Sequence, residues 1–349
     1  MTLVTGGAGF VGSAVVRQLV RSGHRVRVLV RPTSDPRNLR RLPIDMVTGD
    51  LTDHRSLKQA LTGCDFLFHV AADYRFWVPE PEEMYENNVQ GTEKIMREAL
   101  RAGVRKIIYT SSVATLKLNS NGIPTDENGA ASLKDMIGHY KRSKFLAEAT
   151  VLGLIETRGL PAVVVNPSMP VGPGDIKPTP TGRFIADAVA GRMPAYVNTG
   201  LNVVHVDDVA KGHLLALEHG RIGERYILGG HNMTLKEILI EVASIAGRTP
   251  PRVRLPHKLI LAVALFSEAW ARCACKGEPR VTLDEARMAR KRMFFSSGKA
   301  ERELGYTFRP AREALHDAVH WFRQNGYGNK ADTRKRRTAN GQRPTANVE

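Results

Sequence analysis

Thr5-Gly6-Gly7-Ala8-Gly9-Phe10-Val11-Gly12 is the stretch that decides the fold. It follows a β-branched run, Thr2 to Thr5, and precedes apolar residues at helical spacing, Val15, Val16, Leu19 and Val20. A strand, a glycine turn and a helix in that order make a dinucleotide site. Gly6 allows the tight turn, Gly9 lets the backbone approach a pyrophosphate, and Gly12 lets the helix pack closely on the strand. The phosphates then rest on helix N-terminal amides around Phe10 and Val11.

Outward from this turn, short β-branched runs alternate with helical periodicity. The strands expected are Thr2–Thr5, Arg25–Val30, Asp45–Thr48, Phe66–Val70, Lys106–Thr110 and Ala162–Asn166. Gly23, Gly63 and Gly103 punctuate the helices between them, as helix C-termini require. The pattern predicts a doubly wound parallel α/β sheet over residues 1–166. Five prolines between Pro167 and Pro180 then break the alternation. Residues 167–328 are expected to form mainly a smaller α/β substrate lobe, with a return strand near 225–229. Residues 329–349, with Arg334-Lys335-Arg336-Arg337, read as a disordered basic tail.

The chain carries 51 basic and 35 acidic residues, a net charge of +16. No nucleic-acid recognition motif or aromatic stacking platform accompanies that charge, so no specific nucleic acid is expected. Three cysteines (Cys64, Cys273, Cys275) lack zinc spacing and are too few for a disulfide framework, and no metal site is expected. A reducing cytoplasmic setting without a signal peptide follows. The apolar run Leu259 to Phe266 is far short of the roughly 20 residues of a membrane span. Pro256 to Arg272 nevertheless reads as an apolar helix with basic flanks. It is either packed on the substrate lobe or in peripheral contact with the inner membrane.

The second strand ends Val28-Leu29-Val30-Arg31-Pro32. An NAD(H) site has an acidic residue there for the ribose hydroxyls. A guanidinium suits a 2′-phosphate instead, so Arg31 points to NADP(H), with NAD(H) as the alternative. Asp50 and Leu51 follow the third strand and could seat adenine. The small residues of Val70-Ala71-Ala72 after the fourth strand leave room for cofactor.

His139-Tyr140-Lys141-Arg142-Ser143-Lys144 opens a further helix, with Tyr140 and Lys144 on one face at i and i+4. A tyrosine's unperturbed pKa of about 10 is too high for it to serve as a base at neutral pH, where the phenol stays protonated. A nearby ammonium and an oxidised nicotinamide lower that value, so Tyr140 can exchange a proton with a substrate oxygen while hydride moves. The fifth strand ends Tyr109-Thr110-Ser111-Ser112, and one serine hydroxyl should orient the substrate oxygen.

These residues together resemble the extended short-chain dehydrogenase/reductase superfamily, with its epimerase/dehydratase and dihydroflavonol reductase-like branches, over about residues 2 to 327. Asn87-Asn88-Val89-Gln90-Gly91-Thr92, Asn166 to Pro173 and Val204 to Ala210 share the resemblance. It implies a Rossmann sheet, Ser112 as the active serine, Asn88 linked to Lys144 through water, and Pro167 and Ser168 bordering the nicotinamide. More narrowly, segments at 69–75, 135–144, 175–182 and 290–295 are similar to the hopanoid-associated sugar epimerase family. That likeness implies a sugar-like or hopanoid-linked small-molecule substrate, and many relatives form a homodimer through helices around 83–101 and 140–154.

Three functions compete. An NADP(H)-dependent reductase fits Arg31. A redox-neutral NAD-dependent sugar epimerase fits the narrower resemblance. A non-catalytic dinucleotide sensor would have no use for Tyr140, Lys144 and Ser112. The loop Asp73-Tyr74-Arg75-Phe76-Trp77 either lines the cleft or packs as an aromatic loop; Lys177 and Arg183 are candidate anion contacts. His205, Asp207 and Asp208 read as structural or capping groups.

Overall fold

The computed structural model describes residues 1–78, 80–119, 122–129, 131–273, 279 and 281–327. Cys275 and the basic tail lie outside the described residues. The first half of the chain runs β1 (Thr2–Thr5), α1 (Phe10–Arg21), β2 (Val26–Val30), β3 (Asp45–Thr48), α2 (His54–Leu61) and β4 (Phe66–His69). It continues through α3 (Pro81–Tyr85), α4 (Gly91–Arg101), β5 (Lys106–Thr110), α5 (Gly138–Arg158) and β6 (Ala162–Pro167). Then come β7 (Met169–Val171), α6 (Pro180–Val189), β8 (Ala195–Val197), β9 (Gly200–His205), α7 (Val206–His219) and β10 (Arg225–Leu228). The remainder is β11 (His231–Thr234), α8 (Leu235–Ala246), β12 (Val253–Leu255), α9 (His257–Cys273), α10 (Leu283–Met288), α11 (Gly298–Leu304) and α12 (Ala311–Gln324).

Seven strands form one parallel sheet in the order β10-β6-β5-β4-β1-β2-β3. The sequence reading ran three of them one residue long, at Arg25, Val70 and Gly229, and stopped one residue short of Pro167, where strand ends fray. Side-chain alternation builds two cores from the same strands. Val4, Val28, Phe68 and Ile108 face α1 and α7, while Leu3, Leu67, Ile107 and Val164 face α2, α4 and α5. Both faces are covered, which is why these strands are nearly continuous apolar runs.

The strand order reverses at β1, which lies between β2 and β4. Such a switch point opens a crevice at the carboxyl ends of the strands. Thr5 is level with Leu29 and His69, so the glycine turn, Arg31 and Val70 emerge side by side. Two smaller sheets, β11-β9-β7 and β12-β8, belong to the second half of the chain. There α6, α8 and α12 enclose a third core around Ile185, Val242 and Phe322.

Candidate active site

The glycine turn is demanded by contacts at some positions and left open at another. Gly6 has φ of +69°, and a Cβ there would lie 2.6 Å from Ala71 N. A Cβ on Gly12 would lie 2.1 Å from Gly6 O, which no side chain tolerates. Gly7, which the sequence reading left without a role, packs on Val28, 2.6 Å from a hypothetical Cβ. Exposed Gly9 meets only Gly6 O, at 3.2 Å. Its bareness therefore serves the open side, where a ligand would approach. The Ser13 amide closes the first helical bond, onto Gly9 O at 2.9 Å. The amides of Phe10, Val11 and Gly12 precede it and lack an intrahelical carbonyl.

At the tip of β2, the Arg31 amide donates to Ser34 Oγ at 3.0 Å and Ser34 N–H donates to Arg31 O at 2.9 Å. This turn presents an exposed guanidinium that is engaged by no hydrogen bond or ion pair among the described residues. Asp35 is occupied differently. It caps the turn at Arg37 N and binds the Arg37 guanidinium at 2.8 and 2.6 Å, which holds its carboxyl below the usual range. Asn38 donates to Gly174 O at 2.8 Å and so ties this loop to the segment after β7. Asp50 uses one carboxylate oxygen on the Thr52 amide and hydroxyl, at 2.9 and 2.8 Å. Leu51 packs on Gly91, where a Cβ would lie 3.0 Å from its own. Ser168 Oγ donates to Asn202 O at 2.9 Å, next to Pro167 at the end of β6. A glycine cradle, helix amides without an intrahelical carbonyl and a guanidinium with no partner among the described residues fit a dinucleotide with its phosphates.

Helix α5 places Tyr140, Lys144 and Glu148 on one stripe, each four residues from the next. Lys144 is buried; its Nζ donates to Thr110 O at 2.9 Å and to the Tyr109 hydroxyl at 3.3 Å, and sits 4.9 Å from the Tyr109 ring centre. Burial lowers its pKa to about 8, and the Glu148 carboxylate acts in the opposite direction. Burial raises the Tyr140 pKa, and hydrogen bonding with Ser112 acts in the opposite direction. In the protein without a dinucleotide the Lys144 ammonium donates to β5, and burial keeps the Tyr140 phenol protonated.

Ser112 lies at the end of β5, and its Oγ accepts the Ala114 amide at 3.1 Å, which leaves its own proton to donate. Ser111 is buried and Ser112 half-buried. Phe76 packs its ring 5.6 Å from that of Tyr140, so the aromatic loop does reach the cleft. Asp73 and Arg75 pair within that loop at 2.5 Å.

Asn88 sits in a π-helical turn, Glu86–Gln90, inserted between α3 and α4. Its Nδ2 donates to Asp73 O at 2.8 Å and to Ser143 Oγ at 3.0 Å, and its Oδ1 accepts the Asp73 amide at 2.7 Å. Both N–H groups are thus spent on the aromatic loop and α5. Only the second lone pair of Oδ1 is left to reach Lys144 through water.

Sequence reasoning passed over Glu148, although it lies two helical turns beyond Tyr140. Its Oε2 accepts Thr115 Oγ1 at 2.9 Å and Asn166 Nδ2 at 3.0 Å, and Arg225 approaches Oε1 at 3.3 Å. Asn166 donates its other Nδ2 proton to Ser112 O at 3.0 Å, and Thr115 Oγ1 lies 2.8 Å from the same carbonyl, its one proton shared between that oxygen and Glu148. One buried carboxylate therefore anchors the backbone of Ser112 and balances Lys144. Elsewhere, His205 caps α7 by accepting the Asp207 amide at 3.0 Å, and Asp208 pairs with Arg309 at 2.8 Å. Among the described residues no cluster of His, Cys, Asp and Glu could hold a metal.

A glycine-cradled crevice with a tyrosine, lysine and serine at its edge defines a nicotinamide-dependent short-chain dehydrogenase/reductase of the extended type. The NAD dependent epimerase/dehydratase family model matches residues 2–229, and the chain belongs to that family. A Synechocystis protein described as a dihydroflavonol 4-reductase is 44% identical over 328 residues, 93% of this chain and 95% of its own length. Sterol demethylase protein B of Methylococcus capsulatus is 36% identical over 326 residues, 93% and 99% of the two chains. The crystal structure of gox2253 superposes with a TM-score of 0.85 at 57% identity, covering 94% of this chain and 99% of that one. The protein is an NAD(P)-dependent enzyme.

Proposed function

We propose that the chain is an NADP(H)-dependent reductase that converts a carbonyl to a carbinol on a sugar-like or polyol group. The observation that carries this reading is the exposed Arg31 guanidinium at the tip of β2, which no hydrogen bond or ion pair engages among the described residues. The amides of Phe10, Val11 and Gly12 would hold the pyrophosphate, and Gly6 and Gly9 would keep its approach clear. Asp50 and Leu51 would border the adenine, Val70, Ala71 and Ala72 would leave room for the cofactor, and Pro167 and Ser168 would border the nicotinamide. Free Arg31 beside an Asp35 already neutralised by Arg37 supports the 2′-phosphorylated form.

When bound, the dinucleotide supplies the hydride. The Ser112 hydroxyl donates to the substrate oxygen and aligns it with Tyr140. Tyr140 then delivers its proton to that oxygen, and burial keeps the phenol protonated until it does. Lys144 keeps positive charge behind the phenol, which offsets the phenolate left by proton transfer. Asn88 holds α5 against the aromatic loop, and Phe76 gives the cleft an apolar wall. The relative named for sterol demethylation and the likeness to the hopanoid-associated family support a lipid-linked version of the substrate. A cytoplasmic homodimer through helices at 83–101 and 140–154 belongs to the same proposal.

Calorimetric titration of NADPH, NADP, NADH and NAD into wild type and Arg31→Ala tests the cofactor. Loss of one charge-assisted contact should weaken NADPH about 10- to 100-fold and leave NADH nearly unchanged. The description of the family model favours a second reading, a redox-neutral epimerase. NAD retained through purification, with Arg31→Ala silent, would put that reading first.

A further inference from the structure

Helix α9 turns the ordinary rule of burial around. Its inward residues include Ala264 and a carboxylate, Glu268, both buried. Its outward side chains, among those described, are apolar except for Lys258 and the Cys273 thiol. Leu259, Val263, Phe266 and Trp270 recur at spacings of four, three and four, one stripe along the helix. Phe266 and Trp270 are 72% and 64% exposed and stack 6.3 Å apart at the stripe's end. Leu265, 58% exposed, widens it. A contiguous apolar face of this kind marks an interaction site.

The charge around this face selects the partner. Arg248, Arg252, Arg254 and Lys258 are all exposed at or before the start of the helix. The carboxylate in the same stretch, Glu268, is turned inward, where it accepts the Leu283 amide at 2.6 Å. Residues 248–273 therefore present cations and apolar side chains and no exposed acid. A second copy of this face would bring no counter-charge. A bilayer with anionic headgroups supplies both the charge and the apolar phase.

We infer that α9 docks the enzyme on an anionic membrane surface, lying in the interface with Leu259, Val263, Phe266 and Trp270 in the acyl region. The helix is also coupled to the catalytic cleft. It packs on α10, whose Asp284 carboxylate abuts Gly138, where a Cβ would lie 2.4 Å from Oδ2. Gly138 opens α5, two residues before Tyr140. Docking on α9 thus sets the cleft close to the bilayer. The inference stands whatever the substrate of Tyr140.

The test is flotation of the full chain with vesicles of phosphatidylcholine alone or mixed with phosphatidylglycerol, at low and high salt. Wild type should float with the anionic vesicles at low salt, with the Trp270 environment becoming apolar by a blue-shifted emission. Phe266→Glu/Trp270→Glu should lose flotation by at least about tenfold, and Arg254→Glu/Lys258→Glu should lose it on anionic vesicles. Both variants should bind NADPH as wild type does, which shows that they are folded. No flotation of wild type at low salt overturns the inference. So does undiminished flotation of Phe266→Glu/Trp270→Glu, which would assign binding to another segment. Light scattering that shows a wild-type dimer and a variant monomer would assign the face to a second copy and overturn it equally.

Discussion

Helices α5 and α9 each break the rule that apolar side chains go in and polar ones out, and they break it in opposite directions. On α5 a lysine and a glutamate are buried on the stripe that begins with Tyr140, and those two have partners inside the protein: Lys144 on β5, Glu148 on Thr115, Asn166 and Arg225. On α9 an apolar stripe faces outward, and among the described residues nothing covers it. Burying a charge without partners costs several kcal/mol, so a satisfied polar stripe in the interior marks chemistry done there. Exposed apolar surface has no such internal remedy. It points to something outside the chain.

That contrast is sharpest at the phenol. Tyr140→Phe removes the proton donor and should lower kcat by about a hundred- to ten-thousand-fold while NADPH binding holds, measured by stopped-flow and calorimetry. A variant within threefold of wild type would remove Tyr140 from the chemistry and leave α5 a merely structural helix.

Glu148→Gln should act next most strongly. It loosens the clamp on Ser112 and withdraws the charge that supports the Lys144 ammonium. Activity should fall about tenfold, and unfolding should cost about 1–3 kcal/mol less. The pH profile separates the two roles. In wild type, kcat/KM for reduction should decline as pH rises through about 8, where Lys144 loses its proton. Glu148 raises that pKa, so removing its charge lowers it, and the decline should move towards acid pH. An unmoved profile would confine Glu148 to holding Ser112.

The smallest effect should come from α9. Phe266→Glu/Trp270→Glu should leave stability within about 0.5 kcal/mol, because both side chains already lie in water. A large drop in Tm would show that the face is covered in solution.

The nucleotide half was legible because its signals are local. Glycines at 6, 9 and 12, β-branched runs a few residues long, and Tyr140 four residues before Lys144 are statements about neighbours in the chain. Turn geometry and helical or strand periodicity read them directly, and the seven-strand sheet follows once each crossover takes its usual hand. What the polar groups do had to wait for the tertiary structure. Burial keeps the phenol protonated and the lysine donates to Thr110 and Tyr109, and both depend on packing and on strands far away in sequence. Glu148 joins Asn166 and Arg225 across separations of 18 and 77 residues, which no local pattern announces. Likewise the α9 sequence is simply an apolar helix until the fold decides which side of it is covered. Hydrophobic pattern sets which elements form; desolvation, set by long-range packing, decides which charges and which apolar faces are left to act.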